Sequence, residues 1–277
     1  MGRLDGKVAF VTGAARGQGR SHALRMAKEG ADIIAVDIER QIDTVQYAMS
    51  TPADMAETVK QVEALDRRIV ASQADVRDFG AVQAALDDGV AQLGKLDIVS
   101  ANAGIASFAP MEELSEEEFD DMIDVNLKGV WHTAKAAIPH LKANKGGSMI
   151  LTSSTAGIMA IQNAGHYVAA KHGVVGLMKT LALELAPDFI RVNSVHPTTV
   201  DTDMIQNAST YALFGPDLPE SERTKEVLAP RFETMNALPI PWVDAVDISN
   251  AVLWLASDES RYVTGLELKV DAGLTLK

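Results

Sequence analysis

The sequence predicts an α/β fold: one doubly wound parallel sheet of about seven strands, with helices on both faces. Three observations predict it. Short β-branched apolar runs alternate with longer amphipathic stretches from Lys7 to Val270, with no linker between halves. The first apolar run, 7–12, passes at once into Gly13-Ala14-Ala15-Arg16-Gly17-Gln18-Gly19 and then into a helical stretch. Residues able to do chemistry fall at the carboxyl ends of strands or on the following helix, where such sheets bind ligands. A chain of 277 residues, 47% hydrophobic, is read as a single domain over 1–277.

Composition excludes several functions. A formal net charge of −13 argues against nucleic acid and anionic membrane surfaces as partners. With no cysteine, disulfides, thiolate catalysis and Cys-based zinc sites are excluded, and the six histidines lack close ligand spacing, so no metal is expected. No apolar run reaches the roughly 18 residues that span a bilayer. The N-terminus lacks the apolar core of a signal peptide, so a cytoplasmic location is expected.

Taken in order, the glycine loop after the first strand lets the backbone approach a pyrophosphate, and the helix over 20–29 supplies N–H groups and positive dipole. The second strand, 32–37, ends in Asp37, eighteen residues after Gly19, placed to accept hydrogen bonds from an adenosine ribose. Asp37 and Glu39 would repel a 2′-phosphate, so the cofactor is read as NAD, against which only Arg16 and Arg40 dissent. An insertion at about 38–53 then delays the next helix, read over 53–65. It is either a cover over the cofactor or a tolerated surface loop. The third strand, 68–73, leads to Asp75 and Val76, where a carboxylate and a backbone N–H could meet the adenine. After a helix over 79–93, the fourth strand, 96–101, ends in Asn102-Ala103-Gly104, small enough to admit a ribose.

A long helix over 119–144 carries Asn126 on an apolar face; a buried amide needs partners, and it is either a satisfied core group or the anchor of a water chain toward Lys171. The fifth strand, 148–152, leads to Ser154. The helix over 164–186 carries Tyr167 and Lys171 four residues apart on one face, with Gly173 and Gly176 small enough for close helix packing. A phenol titrates near pH ~10. A cation at about 4 Å, at an effective dielectric of ~20, favours the phenolate by roughly 4 kcal/mol, enough to lower its pKa by up to ~3 units. That would bring Tyr167 near working pH as a general acid/base, with Ser154 holding the substrate oxygen. The sixth strand, 190–195, and the proline-rich stretch 203–241, read as an irregular lid, follow. Met204, Ile205, Tyr211, Leu213, Phe214 and Phe232 give that lid an apolar lining and point to an apolar alcohol or ketone. A helix over 243–257 and a last strand over 266–270 complete the chain.

Thr12-Gly13-x-x-x-Gly17-x-Gly19, Asp75-Val76, Asn102-Ala103-Gly104, Asn126, Ser154, Tyr167-x-x-x-Lys171 and Pro197 with Thr202 occur in one order on the right elements. In these the chain resembles the short-chain dehydrogenase/reductase family over essentially its whole length. The resemblance implies a Rossmann fold and an NAD-dependent oxidoreductase that interconverts a secondary alcohol and a ketone by hydride transfer. It implies Tyr167 as general acid/base, Lys171 lowering its pKa, Ser154 orienting substrate and Asn126 supporting a proton relay. It assigns NAD to Gly13, Arg16, Gly17, Gln18 and Gly19, to Asp37 and Ile38, to Asp75 and Val76, and to Asn102, Ala103 and Gly104. Tyr167, Lys171, Pro197, Val200 and Thr202 complete that set. The family's usual Pro-Gly reads Pro197-Thr198 here, which puts backbone freedom near the nicotinamide in doubt.

The insertion after Asp37, with Gly165-His166-Tyr167 and the run 196–202, is similar to the mycofactocin-associated subgroup, which includes enzymes named carveol dehydrogenases. That likeness implies tightly held NAD, an external redox carrier and a homotetramer. The competing readings are a 3-oxoacyl-(acyl-carrier-protein) reductase-like enzyme, disfavoured by the lack of a basic patch on the lid, and a non-catalytic NAD-binding scaffold, which would have no pocket beside Tyr167.

Overall fold

The computed structural model describes residues 2–277. Seven strands form one parallel sheet in the order β3-β2-β1-β4-β5-β6-β7. They are β1 (Val8–Thr12), β2 (Asp32–Asp37), β3 (Ile69–Gln73), β4 (Ile98–Ala101), β5 (Gly147–Thr152), β6 (Ile190–Pro197) and β7 (Glu267–Val270). Strand order reverses between β1 and β4, which pair from Ala9↔Ile98 to Val11↔Ser100. Their carboxyl ends therefore open a crevice, because the connections leave them toward opposite faces.

Successive residues of a strand face opposite sides of the sheet, so each strand feeds two cores. Phe10, Ile34 and Val99 pack against α3 (Phe79–Leu93), α5 (Gly129–Ala143) and α6 (Gly165–Leu185). Val11, Ile33 and Ile98 pack on the other face against α1 (Gly17–Ala27), α2 (Pro52–Glu63) and α9 (Ala245–Ala256). Every residue of β1 is buried, as expected of a strand covered on both faces. Among the described residues no helix is long and apolar enough to cross a membrane.

Two expectations need correction. The stretch 203–241 is not irregular throughout. It holds α7 (Ala208–Phe214) and α8 (Lys225–Glu233), capped by the side chains of Asn207 and Thr224. Pro230 sits inside α8 and removes one N–H, yet buried Leu228 and Phe232 hold the helix, so tertiary packing outweighs the proline. The helix expected over 119–144 begins earlier, as α4 (Glu116–Ile123), because Ser115 and Glu118 form a capping box. It then widens into a π turn, Asp124–Lys128, before α5. Gly173 packs on Leu127 of the same chain, where a Cβ would come within 2.8 Å.

The insertion is anchored rather than loose. Ile42 and Val45 are buried in the core, and the Ser50 hydroxyl donates to Asp37 at 2.5 Å. Phe10 is fully buried at the centre of the sheet. Phe10→Ala is expected to cost about 3–5 kcal/mol, read as a lower urea midpoint at unchanged slope. An unchanged midpoint would show that Phe10 does not carry the central packing.

Candidate active site

Two adjoining cavities occupy the crevice. The first is lined by the glycine loop, Asp37, Ile38, Asp75, Val76, Asn102, Ala103 and Gly104, and from the insertion by Ile42, Tyr47, Met49 and Ser50. The second, about 370 Å³, is lined by Asn126, Ser154, Tyr167, Lys171, Pro197 and Val200. Gln18, Asn102, Gly104, Thr202 and Met204 border both. The structure thus gathers the expected catalytic and dinucleotide residues into one continuous cleft, but not Tyr211, which lines neither cavity and donates its hydroxyl to Gln206 at 2.7 Å instead.

The ends of β1 and β4 are tied by Thr12. Its hydroxyl accepts from the N–H groups of Asn102 and Ala103 at 3.0 and 3.1 Å, and its carbonyl accepts from the Asn102 amide at 3.0 Å. A Cβ on Gly19 would lie 1.9 Å from the Gly13 carbonyl oxygen, so only glycine lets the loop close against α1. The Gln18 side-chain oxygen is buried without a partner where the cavities meet. An open cradle of backbone at a helix N-terminus, an orphaned polar atom and a carboxylate at the end of β2 together fit a dinucleotide.

Asp37 is buried, and its carboxylate accepts from the N–H groups of Ala15 and Ile38 at 2.9 and 2.8 Å as well as from Ser50. Both dissenting guanidiniums are engaged. Arg16 pairs with Asp203 at 3.1 Å and donates to the Ala48 carbonyl, and Arg40 pairs with Asp75 at 3.0 Å. Neither cation is left to hold a 2′-phosphate, in agreement with NAD.

Asn126 lies fully buried in the π turn. Its amide donates to the carbonyls of Ile105 and Met122 at 3.0 and 3.2 Å and accepts from the Ile105 N–H at 3.2 Å. It pins the segment after β4 against the second cavity.

Lys171 is buried, and its ammonium donates to the Thr152 carbonyl at 3.0 Å. Burial lowers its pKa to about 8. The ammonium sits 5.5 Å from the centroid of the Tyr167 ring. The expected acid phenol is not what the chain alone provides. Burial pushes the Tyr167 phenol above its ordinary value, and only the neighbouring Ser154 hydroxyl pulls it down. The reason is that burial penalises the charged form of both groups. Helical spacing reports the attraction between the two groups but not the desolvation that opposes it.

Tyr47 went unrecognised in the sequence, because nothing marks an aromatic residue in an irregular insertion as cleft-lining. Burial pushes its phenol up to about 12, so it stays neutral. The stretch 203–241 contributes Leu213, Phe214, Phe232 and Met235 to the second cavity, and Phe108, Met159 and Ile161 come from the loops after β4 and β5. An apolar pocket beside Tyr167 is thus present, as the scaffold reading did not expect.

The model of the family described as short chain dehydrogenase matches residues 7–212. The chain belongs to that family. A (−)-trans-carveol dehydrogenase of Rhodococcus erythropolis is 53% identical over 279 residues, covering 100% of both chains. The crystal structure of a carveol dehydrogenase from Mycobacterium avium in complex with NAD is 57% identical, with a TM-score of 0.98 over 100% of each chain. That of a short chain dehydrogenase from Mycobacterium paratuberculosis bound to NAD is 46% identical, with a TM-score of 0.91 over 100% of each chain. The protein is an NAD-dependent oxidoreductase acting on CH–OH groups.

The Lys171 shift has a sign in stability. An unfolded lysine keeps its proton to about 10.5, while the buried one releases it near 8. The unfolded chain therefore binds more protons between those values, and stability rises with pH across that window. At about 1.4 kcal/mol per unit the gain is about 3 kcal/mol. NAD-free wild type should gain that much over Lys171→Met between pH 7 and 10 in urea titrations. A constant difference would mean the ammonium is not desolvated.

Proposed function

We propose that the protein oxidises an apolar cyclic secondary alcohol of the monoterpenoid class, carveol being the model substrate, and reduces the matching ketone. One observation carries the reading: Ser154, Tyr167 and Lys171 face a single apolar cavity continuous with the dinucleotide cleft. The relatives named carveol dehydrogenase support the substrate class. NAD, when bound, supplies the hydride acceptor or donor. Gly13, Gly17 and Gly19 would cradle its pyrophosphate, Asp37 its adenosine ribose, and Asp75 and Val76 its adenine.

Ser154 donates a hydrogen bond to the substrate oxygen. Tyr167, protonated at neutral pH, gives its proton to a ketone oxygen, and in alcohol oxidation it takes that proton back as phenolate. Lys171 stabilises the phenolate when it forms, and Asn126 keeps the surrounding loop closed. An acyl-carrier substrate is less well supported, since Lys225 and Arg231 on α8 are held by Asp201 and Asp217.

The insertion supports the reading that NAD is held through turnover and reoxidised in place by an external carrier of the mycofactocin type. Its Gln46 accepts from Ser209 at the start of α7 at 2.8 Å, and Arg16 bridges Ala48 to Asp203. Insertion and lid therefore meet over the cleft. Leu183, Phe189 and Tyr262, each at least 80% exposed, support burial of these outer faces in a homotetramer.

Tyr167→Phe should lower kcat with carveol and a redox dye by about 10²–10⁴-fold while leaving bound NAD in place. Turnover near the wild-type level would refute the proton role. As-purified protein should keep NAD through dialysis, and rapid exchange with labelled NAD would contradict the cover.

A further inference from the structure

The end of β6 holds a contact that none of the roles above uses. His196 and Ser194 are fully buried. The His196 ring places Nδ1 2.9 Å from the Ser154 carbonyl oxygen and Nε2 2.8 Å from the Ser194 hydroxyl. A carbonyl only accepts, so Nδ1 carries the proton and Nε2 accepts from Ser194. Burial keeps the ring neutral, and the two contacts together select one tautomer.

The contact has a backbone cause. β5 and β6 pair in register to Thr152↔Val195, and the Ser153 N–H still reaches the Val195 carbonyl at 2.9 Å. The next donor on β6 would come from Pro197, which has no N–H. The ladder ends there, one residue short of Ser154, and the His196 side chain carries the tie between the two strands on to the Ser154 carbonyl. The Ser154 carbonyl also accepts from the Gly157 N–H at 2.9 Å, so both its lone pairs are engaged. The Ser154 hydroxyl in turn accepts from the Ala156 N–H at 3.1 Å, capping the turn Thr155–Gly157.

We propose that His196, its tautomer set by Ser194, is a positioning residue that fixes the Ser154 peptide and so aims the Ser154 hydroxyl at the substrate oxygen. This rests on the reading of Ser154 as the group that orients substrate. A buried residue that merely fills space would cost the same whether or not Ser154 keeps its hydroxyl. A residue acting through Ser154 would not, and that difference can be measured.

The test is a double-mutant cycle with carveol and a redox dye, on holoenzyme. His196→Leu should lower kcat about tenfold with KM changed by less than about threefold, and His196→Asn, which keeps a donor near Nδ1, should recover most of it. In a Ser154→Ala background His196→Leu should cost less than about twofold more. Equal cost in both backgrounds, or no rescue by Asn, overturns the proposal. If His196→Leu does not fold, Ser194→Ala takes its place in the cycle, with an expected loss of about threefold that vanishes without the Ser154 hydroxyl. A second readout needs no turnover. In histidine-labelled protein, nitrogen NMR should show His196 protonated at Nδ1, and crystals of the His196 variant should show the Ser154 hydroxyl displaced. An Nε2-protonated ring, or an unmoved Ser154, overturns the proposal even if carveol proves not to be a substrate.

Discussion

A single buried ammonium sets the conditions for the rest of the site. Lys171 sits against the Thr152 carbonyl with almost no exposure, on a helix whose first turn carries Tyr167. A charge in such a place is costly, and the chain keeps it by meeting it with a carbonyl at the open end of the sheet. The same dryness raises the phenol. The pair is therefore not a preformed phenolate and cation but a protonated acid beside a weakened base, both set to respond when further charge enters the cleft. The arrangement needs β5, α6 and the loop after β4 to hold their relative positions. Asn126, Thr12 and His196 fasten those parts to one another, and the Ser153 hydroxyl donates to the Lys171 carbonyl at 3.0 Å, tying the end of β5 to α6.

Around this centre the molecule is closed by two pieces of chain far apart in sequence. The insertion starts from Asp37, is rooted in the core through Ile42 and Val45, and returns to Asp37 through Ser50. The stretch 203–241 follows β6 and is rooted through Leu228 and Phe232. Arg16 stands between them and reaches both. A residue of the glycine loop thereby ties both segments to the edge of the cleft, and moving one segment without the other would break one of its two contacts.

The strands and the glycine loop could be read from the sequence because their signals are local. An apolar β-branched run, a glycine whose Cβ would strike a carbonyl and an acid at a strand end each carry meaning within a few residues. Tyr167, Lys171 and Ser154 were legible for the same reason, since helical spacing and strand ends fix their placement. The helices α7 and α8 were not, because their prolines and short length argue against helix until burial of Phe232 is counted. Tyr47 and Ser50 were hidden because an irregular insertion has no periodicity from which to infer what it faces. The state of Tyr167 was misjudged because spacing shows that a cation is near but not how dry the surroundings are. Desolvation is a property of the folded cleft, not of the interval between two residues.

The claim most exposed to measurement is that Lys171 is an ammonium stripped of water. Carbon NMR titration of lysine-labelled, NAD-free protein, with the Lys171 signal identified by its loss in Lys171→Met, reads it directly. The account predicts a midpoint at about 8. A midpoint near the ordinary 10.5 would mean a solvated lysine, and the account of a dry proton-transfer cleft would be wrong.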